Sequence, residues 1–262
     1  MNSSDKVLIV GPSWVGDMVM AHALFQSVHS NFLPTPEIHV VAPPWSKPVL
    51  ARMPEVSRVI ELPVEHGKLA FTTRLQLGRR LRSESYKQAI ILPRSLKSAL
   101  VPFFARVPIR TGFRGECRFG LVNDIRPFDK NVLDQTVKRF FALGVDVDDK
   151  EREQIPRPRL KVSSENLARL KVKFGLDEEI AVALMPGAAF GPAKQWPLEY
   201  YADLASRLAA AGVNVWVLGS NKERVLGLEL TRLADHSKVR NFCGKTSLGD
   251  AIDLLGTALV AV

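Results

Sequence analysis

Short apolar runs alternate with helically spaced apolar residues along most of this chain, and that alternation limits the fold more than any other feature. Residues 6–10, 38–42, 58–62, 89–92 and 109–112 read as strands. Between them Val19, Leu24, Phe25 and Val28 recur at helical spacing, as do Leu69, Leu75, Leu77 and Leu81. A strand followed each time by a helix requires right-handed crossovers and a mostly parallel sheet covered on both faces. The rhythm breaks at residues 146–162, "DVDDKEREQIPRPRLKV". Charges and two prolines build no core, so this stretch reads as a linker. The rhythm then restarts. Ser163 and Ser164 can cap a helix that reaches Phe174 and ends at Gly175. Strands follow at 180–185, 213–218, 239–243 and 258–262, with helices starting near Pro197, Lys222 and Ser247. The expected fold is α/β: two Rossmann-like domains, residues 1–155 and 156–262, with mostly parallel sheets facing across a cleft. The final "ALVAV" reads as a buried strand with no loop or helix after it, so the second domain is expected to be incomplete.

Composition narrows the function classes. Hydrophobic residues at 46% and charged residues at 24% describe an ordinary globular chain rather than a disordered one. Cys117 and Cys243 are too few and too far apart for a disulfide framework or a zinc site, which points to a reducing cytoplasm. The opening residues are too short for a signal peptide, and no run approaches the ~20 apolar residues that span a bilayer. The net charge is +9, and its placement matters more than its size. Residues 74–126 hold twelve Lys/Arg against three acids, which accounts for the whole excess. A localised anionic partner is expected there, with a solvated basic face as the plain alternative.

The loop "GPSWVGDM" follows the first strand, where a nucleotide loop would sit. It lacks the middle glycine of G-x-G-x-x-G and carries Pro12 and Trp14, which makes a poor dinucleotide seat. Its acid, Asp17, opposes phosphate at the start of a helix. The helix dipole is expected to keep Asp17 ionised, so it can accept a proton from a substrate hydroxyl, or else it caps its helix. "MPGAAFGPAKQWP" follows a strand in the second half. Gly187 and Ala188 allow close backbone approach, and Pro197 suits a helix start with free N–H groups. Lys194 adds a mobile cation, which makes a diphosphate seat, although it can also be a plain surface lysine. Trp196 reads as a packing residue. Glu223 in "LGSNKE" either holds ribose hydroxyls or starts a helix. Thr246 or Ser247 reads first as a helix cap, with a ligand role second. "DVDD" lies in the charged linker without a preceding strand, and the histidines show no ligand spacing, so no metal is expected. Residues 92–124 interleave Arg94, Lys97, Arg106, Arg110, Arg114 and Arg118 with Leu96, Leu100, Phe103, Phe104 and Phe113. No nucleic-acid motif is present. The apolar run 99–105 beside the charge suits an anionic amphiphile at a membrane, or else is a core helix followed by a basic loop.

The segments "GPSWVGDMVM", "LPRSLKSALVPFFARVPIRTGFRGE" and "PGAAFGPAKQWP" resemble the bacterial ADP-heptose:lipopolysaccharide heptosyltransferases, type II, along essentially the whole chain. The resemblance implies a GT-B fold, with acceptor on the first domain and nucleotide sugar on the second. It implies metal-independent, inverting transfer of L-glycero-D-manno-heptose from ADP-heptose to heptose I on Kdo-lipid A, without a cofactor. It places the general base on Asp17 and the diphosphate cation on Lys194, with Gly187, Ala188, Glu223 and Thr246 around the donor. Trp14, Arg94, Lys97, Arg110 and Arg114 then face the acceptor. The implied partners are ADP-heptose, the anionic acceptor and the inner-membrane surface, and the implied location is cytoplasmic at that membrane. Two other classes stay open: another nucleotide-dependent Rossmann enzyme, such as an oxidoreductase or epimerase, and a non-catalytic or weakly active fragment that binds anionic core.

Overall fold

The computed structural model describes residues 5–31, 34–65, 67–145, 154–176, 180–188 and 192–262. It forms two compact units, Met1–Leu160 and Lys161–Val262. The first contains β1 (Lys6–Val10), α1 (Val15–Met20), α2 (His22–Asn31), β2 (Glu37–Ala42), α3 (Lys47–Leu50), β3 (Val56–Glu61), α4 (Phe71–Leu81), β4 (Gln88–Ile91), α5 (Leu100–Phe104), β5 (Ile109–Phe113), β6 (Asp124–Arg126) and α6 (Thr136–Ala142). The second contains α7 (Ser164–Phe174), β7 (Ala181–Leu184), α8 (Leu198–Ala210), β8 (Asn214–Val217), α9 (Arg224–Ala234), β9 (Val239–Asn241), α10 (Leu248–Leu255) and β10 (Val260–Ala261).

The first sheet runs β3-β2-β1-β4-β5-β6 and the second β10-β7-β8-β9, with every pairing parallel. The two orders share one plan: the first strand of each unit lies between its second and fourth, so the order reverses beside it. That reversal is the switch point where open α/β sheets bind ligands beyond their strand carboxyl ends. The inner strands β1, β4, β7 and β8 are largely apolar because both faces of each sheet are covered there, whereas β3, β6 and β9 toward the edges carry charged residues. In β7, Val182 and Leu184 join Tyr201, Ala205 and Leu230 of α8 and α9, while Ala181 and Ala183 join Leu170, Phe242 and Leu254 on the other face. In β1, Leu8 joins Leu77, Leu81, Val101 and Ala105 of α4, α5 and the residue after it.

The structure departs from the sequence reading in four places. β6 went unread because three residues inside a charged loop show no period. The 99–105 run is mainly core: Ala99, Leu100, Val101 and Ala105 are buried, and Phe103 alone of its rings is exposed. β10 is an edge strand whose Val260 side chain is exposed, because it pairs only with β7. The linker reading splits. Its residues 146–153, "DVDD" included, lie outside the described residues. Its later part is fastened to the first unit: the Gln26 amide donates to the Arg157 carbonyl (3.1 Å), and the Arg159 N–H donates to Nδ1 of buried His22 (3.1 Å). His22 Nε2 lies 2.8 Å from Glu55 Oε2, so the ring is held at both nitrogens. Ser163 caps α7 as expected, and Gly175 ends it with φ of 55°.

Candidate active site

In the first unit the chain leaves β1 through Gly11, whose N–H donates to the Val41 carbonyl (2.9 Å). Trp14 is extended, and α1 begins after it. Met18 is fully buried and pins this six-residue helix, which leaves Asp17 half-buried beside it. Asp17 lines a cavity of about 310 Å³ at the switch point. Pro12, Ser13 and Trp14 enter from the loop after β1, and Leu92, Pro93 and Arg94 from the loop after β4. Phe113 closes it from β5, and Thr136, Arg139 and Phe140 from α6. Burial pushes the Asp17 carboxyl above the usual aspartate range. The expectation of a dipole-held anion is therefore corrected. A helix this short supplies little dipole, and loss of water is the dominant influence. The consequence is a stronger proton acceptor once ionised, as a general base requires.

Arg94 also lines a second cavity, of about 600 Å³, with Arg114, Gly115, Ile125, Arg126, Pro127 and Phe128. Phe128 ties the two spaces together. Its ring carries the Arg94 guanidinium at 4.7 Å and the Arg139 guanidinium at 5.6 Å, and meets Phe113 edge-on at 5.2 Å. Arg139 also donates to the Leu133 carbonyl (2.8 Å) and the Asp134 carbonyl (3.0 Å). The Arg114 guanidinium sits 5.8 Å from the Phe119 ring. Arg126 is paired with Asp124 (3.2 Å), so Arg94 and Arg114 carry the cationic character of this wall. The wall is strapped in place. Arg94 Nε donates to the Arg114 carbonyl (3.0 Å), the Glu116 N–H to the Arg94 carbonyl (3.2 Å), and the Leu96 N–H to Glu116 Oε2 (2.8 Å). Gly115 is required here: a Cβ on it would lie 2.0 Å from the Arg94 carbonyl oxygen.

Not every residue of the basic stretch faces a ligand. Arg110 donates to the Leu121 (2.7 Å), Val107 (2.6 Å) and Gly120 (3.1 Å) carbonyls, so the structure gives it the task of holding its own loop instead of an open cationic surface. Arg118 is buried, with its guanidinium on the Pro93 and Phe113 carbonyls and the Ser98 hydroxyl. Lys97 is half-buried in a 3-10 turn and lines neither cavity. Trp14 is 46% exposed and stands at the rim beside Asp17. Arg139 lies past the basic stretch that ends at Arg126, and Phe128 and Thr136 are uncharged residues with no motif around them, so none of the three stands out in the sequence. The spacing of Val137, Phe140 and Phe141 before Gly144 was the available signal for α6.

In the second unit three loops leave the carboxyl ends of β7, β8 and β9. Gly187 packs on Glu223 so closely that a Cβ would lie 2.5 Å from Glu223 Cγ. Ala188 follows, half-buried, and 189–191 lie outside the described residues. Lys194 is exposed in a 3-10 turn, and Pro197 occupies the position just before α8. Trp196 is half-exposed and packs on Tyr201 (4.9 Å) and Tyr200 (5.6 Å). Glu223 is a helix-start acid: its Oε2 accepts from the Ser220 N–H (2.7 Å) and hydroxyl in a reciprocal cap. Ser247, paired with Asp250, is the cap of α10. Thr246 instead turns its hydroxyl to the Phe242 carbonyl (3.4 Å). Among the described residues no three His, Cys, Asp or Glu side chains group as metal ligands, and no helix is long and apolar enough to cross a membrane.

Two doubly wound α/β units, one with a carboxylate at its switch point and one with a glycine-lined loop there, fit the GT-B class of glycosyltransferases, and similarity to known proteins places the chain in it. The chain belongs to glycosyltransferase family 9 (heptosyltransferase), whose family model matches residues 74–262. It is 43% identical to lipooligosaccharide heptosyltransferase 2 of Haemophilus influenzae over 98% of this chain and 77% of that protein. It is 41% identical to lipopolysaccharide heptosyltransferase 2 of Escherichia coli K12, over 98% of this chain and 76% of that one. The solved structure of E. coli ADP-heptose LPS heptosyltransferase II superposes with a TM-score of 0.87 at 38% identity, covering 98% of this chain and 78% of that chain.

Proposed function

We propose that this chain transfers L-glycero-D-manno-heptose from ADP-heptose to heptose I of the Kdo-lipid A inner core, with inversion and without a metal ion. The observation that carries the reading is Asp17: a half-buried carboxyl with raised proton affinity, in a cavity walled by Arg94 and Arg139. Among the described residues its carboxylate has no hydrogen-bond partner, so it is available to a substrate hydroxyl. In the proposed step the acceptor oxygen forms its bond to the anomeric carbon from the face opposite the diphosphate. Asp17 takes the hydroxyl proton as that bond forms. The bond to the diphosphate oxygen breaks, and the electron pair leaves with ADP. Lys194 and the amino end of α8 offset the charge growing on ADP, help that can reach ~3 kcal/mol. Arg94 and Arg114 hold the acidic Kdo and phosphate groups of the acceptor, with Trp14 at the rim. Gly187 and Ala188 give the nucleotide its close backbone approach, and Glu223 keeps one carboxylate oxygen for ribose beside its cap. Such an acceptor is anchored in lipid, so the enzyme is proposed to work at the cytoplasmic face of the inner membrane.

The test is Asp17→Asn. Loss of a positioned base costs about 10²–10⁴-fold in turnover. ADP affinity, measured by calorimetry, should stay within a factor of about two to three by the same division of roles. Turnover like that of the parent would remove Asp17 from the reaction. Loss of ADP binding in this variant would assign it to the nucleotide instead.

A further inference from the structure

The first unit carries an apolar patch on the side away from its sheet. α4 and α5 bury Leu77, Leu81, Leu100 and Val101, and this turns Phe103 and the start of α4 outward. Leu69 is 50% exposed, Phe71 47% and Phe103 41%. Phe104 joins them, edge-on to Phe71 and to Phe103 at 5.5 Å each. Three arginines are fixed around this group. Arg74 Nε donates to the Leu69 carbonyl (2.7 Å), Arg82 Nε donates to the Phe104 carbonyl (2.8 Å), and the Arg110 guanidinium lies 5.7 Å from the Phe103 ring. Lys68, Arg79, Arg80 and Arg106 are exposed on the same two segments. Residues 67–83 and 96–115 contain nine Lys/Arg and no acid. Apolar side chains held outward within a field of one sign match a surface that is apolar inside and anionic at its face.

We propose that this α4–α5 face docks the first unit on an anionic lipid bilayer, with Leu69, Phe71 and Phe103 entering the headgroup boundary and the exposed Lys68, Arg79, Arg80, Arg82 and Arg106 meeting lipid phosphates. The proposal deepens the reading above by naming the surface that meets the membrane. It rests on that reading for its purpose and on this patch for its evidence. Single-stranded nucleic acid is the other polyanion that arginines and aromatics can hold. The rings here are locked edge-on to one another, which leaves no row of parallel faces for bases.

The experiment is co-sedimentation of the 262-residue chain with vesicles of phosphatidylcholine mixed with phosphatidylglycerol, and of phosphatidylcholine alone, in low and high salt. Binding should require phosphatidylglycerol and weaken in high salt. The double variant L69S/F71S and the charge reversal Lys68→Glu should each weaken it, the former about tenfold. Both sites are exposed, so thermal melting should stay near that of the parent. Transfer to a de-acylated, water-soluble core acceptor should be unchanged in both variants; absence of that transfer in the parent chain would count against the transferase reading alone, and its loss only in the variants would count against the docking face. No binding to anionic vesicles overturns the docking face. So does binding that L69S/F71S leaves intact, or tighter binding to a single-stranded oligonucleotide that the same variant abolishes.

Discussion

Arg118 offers a quantitative check on how the anionic wall is built. The sequence places it among the six arginines and lysines of residues 92–124, but the structure buries it and spends it on backbone. Its Nη1 donates to the Pro93 carbonyl (2.8 Å) and reaches the Ser98 hydroxyl (3.3 Å), and Nη2 donates to the Phe113 carbonyl. These bonds join the loop after β4 to the end of β5. Arg118→Ala removes all three. A hydrogen bond to a charged group contributes about 1.5–3 kcal/mol, and an orphaned buried carbonyl costs about 1–3 kcal/mol. The Pro93 carbonyl still receives the Ser98 hydroxyl (3.0 Å), so the loss falls mainly on Phe113 and on the void left by the side chain. Part is regained, because burial holds the Arg118 guanidinium below its usual pKa and its charge no longer needs desolvating. The net destabilisation should be about 2–4 kcal/mol, read as a melting point lower by roughly 5–15 °C. Arg118→Lys keeps the charge without the planar fork and should fall between. The Michaelis constant for the anionic acceptor should rise more than kcat falls, because Arg94 and Arg114 lose their frame while Asp17 rides on α1. Differential scanning calorimetry and acceptor titrations measure both effects. A melting point within ~1 °C of the parent together with an unchanged Michaelis constant would refute the idea that this arginine positions the wall.

The remaining expectations are quicker to check. Turnover should fall as pH drops through the Asp17 carboxyl, since a base must be ionised, and burial places that limb above the ordinary aspartate value of 3.8. A pH–rate profile tests this. The same shift means the ionised form costs folding free energy at neutral pH, so Asp17→Asn should melt no lower than the parent at about pH 7. Gly187→Ala puts a Cβ 2.5 Å from Glu223 Cγ, so it should weaken ADP binding in calorimetry while sparing vesicle binding. Cys117 is exposed and Cys243 buried, with burial pushing the Cys243 thiol up to about 11. A thiol reagent should therefore titrate one cysteine in the native protein and both after unfolding.

The strands were legible because each is a short apolar run between turn residues, and a parallel sheet covered on both faces demands that pattern. Most needed only end adjustments, whereas 258–262 reads as a buried strand and proves to be an exposed edge. Helix starts were legible where a side chain does the capping, as at Ser163 and Ser247, and near Lys222, where a 3-10 turn capped by Ser220 precedes α9. Side-chain commitments were not legible. Nothing in the spacing of Arg110 and Arg118 distinguishes a guanidinium spent on carbonyls from one left for a ligand. That distinction depends on where the 113–124 loop folds back, which local periodicity does not encode. Arg139 was missed for the reverse reason. It lies past the basic stretch that ends at Arg126, yet α6 brings it to the same cavity as Asp17.

The two units carry the same strand order and yet differ where it matters, in the loop after the first strand of each. After β7 the chain runs Pro186, Gly187, Ala188, and the bare Gly187 Cα sits against Glu223. Gly187 itself stays exposed, so a diphosphate can approach its backbone, and the Glu223 carboxylate beside it is turned to Ser220. After β1 the same place holds Pro12, Ser13 and Trp14, and the helix begins on Val15 with no side-chain cap. Met18 then goes inward and Asp17 is left at the cavity. A carboxylate there would repel a diphosphate, and burial without a paired cation raises its proton affinity, so the loop that is poor for nucleotide is suited to removing a proton. Topology supplies a ligand site in both units, and the few side chains after the first strand decide which half of a group transfer each can serve.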